Sequence, residues 1–270
     1  MESSAPTTEE FIAHMDQAGE HVLDIQPAMA SVFNAVHVIL NPLRSQADKA
    51  TTVNALKTIT IESADSLINK VKTSTEHLAK EGIKVIQNKR AILTYSFSAA
   101  VAALLKKAKT VGLSFRVIVA ESRPMYEGRL LSENLASSGI PCTFIIDGAI
   151  STWIREADLV LVGADRVSEH SVVNKIGTRA LALMARDLHL PIYCACETIK
   201  FLHSGFLPFQ QRDMPAAEVW EDPPDMVSVR NIYFEEIPLE YFTGCITESG
   251  ILSVQEIIQR ITSHSDDPAH

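Results

Sequence analysis

From Ala91 onward, short apolar runs alternate with amphipathic helical segments, and this alternation constrains the fold more than any other feature of the chain. AILTY is followed by SAAVAALLKKAKT, FRVIVA by RLLSENLASSG, CTFII by ISTWIREA, LVLVGA by TRALALMARDL, and then comes PIYCAC. Strands this apolar are buried on both faces, which requires a parallel sheet covered by helices. Right-handed crossovers then give an α/β fold with a Rossmann-like parallel sheet flanked by helices, assigned to residues 89–262. Parallel strands bring their C-terminal tips to one edge, where open α/β sheets bind ligands.

The preceding residues, 1–88, have apolar positions at helical spacing and predict an all-helical N-terminal domain. Phe11, Ile12 and Met15 form one face. Val22, Ile25, Met29, Phe33, Val36 and Leu40 form the next, ending near Asn41-Pro42, with Pro27 inside the pattern as an alternative helix start. A long segment from Asp48 to Leu78 is followed by Lys80-Glu81-Gly82, which reads as a helix end. Residues 208–238 read as an extended loop, FTGCI as a last strand, VQEIIQRI as a closing helix, and 263–270 as a disordered tail.

The formal charge of −9 argues against a broad nucleic-acid footprint, so no direct nucleic-acid partner is expected. No apolar stretch approaches the roughly 20 residues of a membrane span. MESSAPTTEE is too acidic and polar for a signal or transit peptide. Cys142, Cys194, Cys196 and Cys245 contain no CxxC pair and read as reduced thiols. A cytoplasmic protein without membrane contact is therefore expected.

The strand tips collect the chemistry. They present Thr94-Tyr95-Ser96-Phe97-Ser98, Glu121-Ser122-Arg123-Pro124, Asp147-Gly148-Ala149, Asp165-Arg166 and Glu197-Thr198-Ile199-Lys200. The segment LVLVGADRVSEHSVVNKIGT delivers Asp165 at a strand end. Nine residues later, Asn174-Lys175-Ile176-Gly177-Thr178 opens into a helix whose amides favour an anion. Cations and helix amides suit a phosphate, and carboxylates suit sugar hydroxyls. Each element has a structural alternative. Asp165 caps a turn, Asn174-Lys175 only starts a helix, Arg123 is a surface loop residue, and Glu121 and Glu197 pair with Arg123 and Lys200. His170, His189 and His203 lack metal-ligand spacing. Neither GxGxxG nor a Walker A pattern occurs, and no cofactor is implied.

From Lys89 to Ile258 the chain resembles the alpha, beta and delta subunits of translation initiation factor 2B and their isomerase relatives. Those relatives act on ribose 1,5-bisphosphate and methylthioribose 1-phosphate. The resemblance rests on ILTYSFS, ESRPMYEGRLLSENLASSGIP, DGAI, VGADRV, VVNKIGTRALAL, ETIKF and ITESGIL, in that order. It implies a Rossmann-like domain behind a helical one, and a homodimer or an assembly with related subunits. The isomerase branch converts an aldose phosphate to a ketose using a cysteine and the aspartate of the GAD motif. The aspartate carries over to Asp165, the NK pair to Asn174 and Lys175, and the ExRP element to Glu121, Arg123 and Pro124. Gly177, Thr178 and Lys200 complete the expected ligand set.

The cysteine has no counterpart. The isomerases end this strand Thr-His-Cys, whereas here it ends Thr94-Tyr95-Ser96. A thiol with a reference pKa near 8.5 is readily tuned toward neutrality, while a serine hydroxyl needs its own base. The arginine-containing phosphate loops of the isomerases, of the Arg-Gly-Ala-Pro and Arg-Pro-Thr type, are also missing. Two functions follow as expectations. One is a regulatory protein that binds a phosphorylated sugar or nucleotide. The other is an aldose–ketose isomerase in which Asp165 moves the proton and Ser96 or a water assists.

Overall fold

The computed structural model describes residues 7–46, 52–87, 90–206 and 208–263. Residues 264–270 of the expected tail, and Asp48 at the expected start of the third helical segment, lie outside them. Three helices come first: α1 (Thr8–Ile25), α2 (Ala30–Arg44) and α3 (Val53–Ile86). Thr7 and Glu10 form a capping box that starts α1. Pro27 sits in the turn before α2, so the apolar face drawn from Val22 to Leu40 is divided between two helices. α2 continues through Pro42 to Arg44.

Gly82 does not end α3. It lies inside the helix, where a Cβ would come within 2.0 Å of Leu104 Cδ1. The glycine is required by close packing, not by a left-handed cap.

The α/β part runs β1 (Ala91–Thr94), α4 (Ala99–Thr110), β2 (Arg116–Ala120), α5 (Glu127–Ala136), β3 (Cys142–Ile145), a short α6 (Ile150–Trp153) and β4 (Leu159–Val162). It continues with β5 (Arg166–Val167), β6 (Ser171–Lys175), α7 (Thr178–Asp187), β7 (Ile192–Ala195), β8 (Phe234–Pro238), β9 (Gly244–Thr247), β10 (Gly250–Leu252) and α8 (Val254–Thr262). Seven strands form one sheet in the order β10-β9-β7-β4-β1-β2-β3, parallel except for the β9–β10 hairpin. Alternate side chains feed two cores. Ile92, Val117, Val119, Leu159 and Leu161 face α3, α4 and α5. Leu93, Ile118, Val160 and Val162 face α7 and α8.

Leu78, Ala79 and Ile86 of α3 lie in the first of these cores. Nearer the N-terminus, Leu40, Leu43 and Leu56 pack with Phe11, Ile12 and Met15 in a small core of their own. The boundary expected at residue 88 therefore falls after a helix that already belongs to both parts.

A second, three-stranded antiparallel sheet, β5-β6-β8, was not anticipated. Asn174 and Lys175, expected at a helix start, instead end β6 opposite Glu235 and Phe234. The loop expected to run through 238 closes with β8.

Strand order reverses between β1 and β4, because the chain leaves β1 toward β2 and β3 and then crosses back. This is the switch point at which doubly wound sheets open a crevice. Gly163 makes that crevice narrow: a Cβ there would lie 2.7 Å from Ser98 Oγ, which caps α4 by accepting from the Val101 amide.

Gly128 brings α5 onto the tip of β2, and a Cβ there would lie 1.9 Å from the Ala120 carbonyl oxygen. A strand carbonyl cannot rotate aside as a side chain can. Gly128→Ala is therefore expected to cost about 3 kcal/mol in urea unfolding, the upper end of ordinary overpacking penalties.

Candidate functional site

Asp147 organises the tips of three adjacent strands. Its two carboxylate oxygens accept from the backbone amides of Ser122 and Arg123, each at 2.7 Å. The buried Tyr95 hydroxyl lies within electrostatic reach of the same carboxylate. Burial, then Asp147, holds the Tyr95 phenol well above its ordinary range, so it stays a donor. Ser96 follows in left-handed backbone, φ 64°, with its amide donating to Ser122 Oγ at 2.7 Å. Ser122 is itself left-handed, φ 63°, and its hydroxyl donates to the Ala120 carbonyl at 3.1 Å. The Ser96 hydroxyl makes no hydrogen bond among the described residues, so no side chain is placed to act as its base.

Arg123 does not pair with Glu121. Its guanidinium donates to the Tyr126 hydroxyl and to the Val219 carbonyl, the latter at 3.3 Å. Glu121 is held through its backbone, donating to the Ile145 carbonyl and accepting from the Gly128 amide. Glu197, the other expected partner in a surface pair, accepts from the Thr75 hydroxyl at 2.5 Å and makes no ion pair with Lys200.

The second half of the cluster lies across β4 and β6. Asp165 is fixed by its backbone, with its amide donating to the Val173 carbonyl and its carbonyl accepting from Ala30, the first residue of α2. Its carboxylate accepts no hydrogen bond among the described residues, so it is not a turn cap. Burial pushes its pKa up, Lys200 and Lys175 pull it down, and Glu127 adds to the rise. The net shift is upward.

Lys175 is buried, 2.6 Å from Glu127 and 5.0 Å from the centroid of the Tyr233 ring. The Tyr233 hydroxyl donates to Glu218 at 2.6 Å, and partial desolvation followed by Glu218 pushes its pKa up to about 12. Asn174 donates to the Thr178 hydroxyl at 3.0 Å, and that hydroxyl donates to the Lys175 carbonyl at 2.6 Å.

The start of α7 differs from expectation. Gly177, φ 102°, and Arg179 both donate their amides to Glu235 Oε1, at 2.6 and 2.9 Å. A carboxylate of the chain thus holds the amides expected to meet a phosphate. Tyr95 joins the two halves, since a Cβ on Gly177 would lie 2.5 Å from its hydroxyl oxygen.

Asp165, Lys175 and Lys200 thus share one electrostatic neighbourhood, whereas Arg123 and Ser96 belong to the Asp147-centred half. Glu127, Tyr233 and Glu235 were missed by sequence reasoning. Glu127 lies in the same conspicuous segment as Arg123, but nothing local marks Glu235. Cys194, Cys196 and Cys245 are buried free thiols, with the last two sulfurs 3.6 Å apart.

A doubly wound parallel sheet with cations, carboxylates and hydroxyls gathered at its switch-point tips defines a Rossmann-type α/β protein. A model of the initiation factor 2 subunit family matches residues 1–254, and the chain belongs to that family. It is 32% identical over 252 residues to ribose 1,5-bisphosphate isomerase of Methanocaldococcus jannaschii, covering 92% of this chain and 79% of that protein. It is 34% identical over 244 residues to a translation initiation factor eIF-2B subunit 2-like protein of Pyrococcus horikoshii, covering 89% of this chain and 81% of that one. The crystal structure of the Pyrococcus horikoshii translation initiation factor eIF-2B superposes with a TM-score of 0.77 at 31% identity, over 92% of this chain and 84% of that one.

Because the folded-state pKa of Asp165 is raised, its contribution to stability is complete below the unfolded carboxylate value, near 3.9, and is lost as pH rises through the folded value. Asp165→Asn is therefore expected to raise the melting temperature at pH 7. The difference should vanish near pH 3, as read by thermal unfolding across that range.

Proposed function

We propose that this chain is a regulatory member of the family that binds a phosphorylated sugar or nucleotide at the strand tips, with weak or no turnover. The observation that carries this reading is Ser96. It stands where the related isomerases have a cysteine, its backbone is fixed by Ser122, and among the described residues no base accompanies its hydroxyl. Acid–base catalysis falls off when the pKa of the group lies far from operating pH. Lys175 and Lys200 supply cations for the phosphate, with Arg123 from the neighbouring tip. Asn174, Thr178 and Glu121 face the hydroxyls, and Gly177 keeps the α7 amides accessible once the ligand displaces Glu235. We place the protein in the cytoplasm, acting in translation initiation as a homodimer or beside related subunits.

A second reading is favoured by Asp165. A carboxyl group raised by burial and unengaged by hydrogen bonds is suited to proton transfer between C1 and C2 of an aldose phosphate. On this reading the chain is an aldose–ketose isomerase acting on ribose 1,5-bisphosphate or methylthioribose 1-phosphate. Asp165 is its acid–base residue, assisted by Ser96 or a water.

Proton NMR of each sugar phosphate with the pure protein separates the two. Binding without ketose formation is expected. Lys175→Ala should weaken binding by 10- to 100-fold, about the loss of one charge-assisted hydrogen bond. Ketose formation that disappears in Asp165→Asn would overturn the regulatory reading. Ser96→Cys restores the thiol and is expected to raise ketose formation above the wild-type level; an unchanged rate would show that the thiol is not the missing group.

A further inference from the structure

A cavity of about 410 Å³ lies between the turn that precedes α2, residues 209–214 and the start of β8. Its size is that of an ordinary small-molecule pocket. Two of its walls are tied to the strand tips. In the turn before α2, the Pro27 carbonyl accepts from the Arg166 guanidinium at 3.2 Å, and the Ala30 amide donates to the Asp165 carbonyl at 3.0 Å. On the other side, the Tyr233 carbonyl accepts from the Ile176 amide at 2.8 Å, and the Lys175 ammonium lies 5.0 Å from the centre of the Tyr233 ring. Tyr233 therefore lines the cavity and also meets the buried lysine of the strand-tip cluster. Its hydroxyl, donating to Glu218 at 2.6 Å, holds the ring in place.

The lining suits a flat ring. Met29, Phe209, Met214, Tyr233 and Phe234 supply it, and aromatic and thioether side chains pack well on planar heterocycles. Gln26 and Gln210 add amide donors and acceptors for the ring edge. A second phosphate finds little here. Arg212 is the one cation among the described lining residues; it is exposed to solvent and donates to the Asp24 carbonyl at 2.9 Å. Asp213, paired with Arg230, adds a carboxylate to the same wall.

We propose that the strand-tip ligand is a nucleoside 5′-monophosphate whose base occupies this cavity. The assignment rests on the strand-tip reading above and narrows it. The phosphate takes the cations at Lys175 and Lys200, and the base lies beyond Tyr233 among the aromatic and thioether side chains. A pentose bisphosphate would set its second phosphate against this apolar lining. A methylthio group would leave most of the volume to water. Tyr233 is thus a specificity-determining residue, since its ring is shared by the cation and the cavity.

Calorimetric titration of the full chain with adenosine 5′-monophosphate, ribose 5-phosphate, ribose 1,5-bisphosphate and adenosine tests the assignment. The nucleotide is expected to bind about tenfold or more tighter than ribose 5-phosphate, the gain from stacking one base. That advantage should disappear in Phe209→Ala, and also in Ala28→Trp, which fills the cavity, with folding of each variant checked by circular dichroism. Lys175→Ala should weaken the nucleotide and ribose 5-phosphate alike. Ribose 1,5-bisphosphate binding tighter than the nucleotide would overturn the proposal. So would a nucleotide no tighter than ribose 5-phosphate, or an advantage that persists in both folded cavity variants; ribose 5-phosphate that still depends on Lys175 would then leave the strand-tip reading standing. Nucleotide binding indifferent to Lys175→Ala would sink the strand-tip reading. Adenosine, which carries no phosphate, then decides the cavity: binding lost in Ala28→Trp keeps the base there, and no binding ends both.

Discussion

The Asp147 carboxylate is the contact on which the strand-tip geometry depends. By accepting from the Ser122 and Arg123 amides it ties the tips of β2 and β3 together, and its charge acts on the buried Tyr95 hydroxyl at the tip of β1. Charge-assisted bonds to backbone amides are short and directional, and here they hold two consecutive amides of one loop. Ser122 then orients the Ser96 amide, and Tyr95 reaches across to the glycine at the start of α7. The left-handed conformations of Ser96 and Ser122 are uncommon for residues with a side chain. They persist because this network specifies both backbones from several directions.

Two of the charged groups around Asp165, Lys175 and Glu235, are already engaged within the chain. Glu127 neutralises Lys175, and Glu235 occupies the amides at the start of α7. Glu127 also leaves its second oxygen buried and unpartnered. An anionic ligand therefore exchanges one set of charge-assisted bonds for another and gains only the difference. Such a site binds through geometric fit at several groups at once, and a bare phosphate competes poorly with the carboxylates already in place. Lys200, which makes no ion pair among the described residues, is the cation available without displacing a carboxylate.

The parallel sheet was legible in the sequence because buried parallel strands need continuous apolar runs, and LVLV or RVIVA cannot be satisfied elsewhere. The strand-tip residues followed from that, since parallelism alone puts Ser96, Asp165 and Lys200 at one edge. The small antiparallel sheet was not legible. β5 has two residues, and β8, FEEIP, has no clear alternation, so its existence depends on β6 as a partner. The role of Glu235 depends on its pairing with Asn174, far away in the chain, and carries no local signal. Gly82 misled for a related reason: a glycine near a run of charged residues resembles a helix end, and only the position of Leu104 shows otherwise.

α3 has a mechanical consequence. At 1.5 Å per residue, its 34 residues make a rod roughly 50 Å long. One end is seated among α1 and α2, and the other is locked into the sheet through Leu78, Ile86 and the Gly82–Leu104 contact. α2, in turn, rests on Asp165 through Ala30 and on the Lys200 turn through Asn34. The helical part is therefore fastened to the strand tips through Ala30, Asn34 and Thr75 as well as to the sheet through the C-terminal half of α3, so the helices and the tips form one mechanical unit.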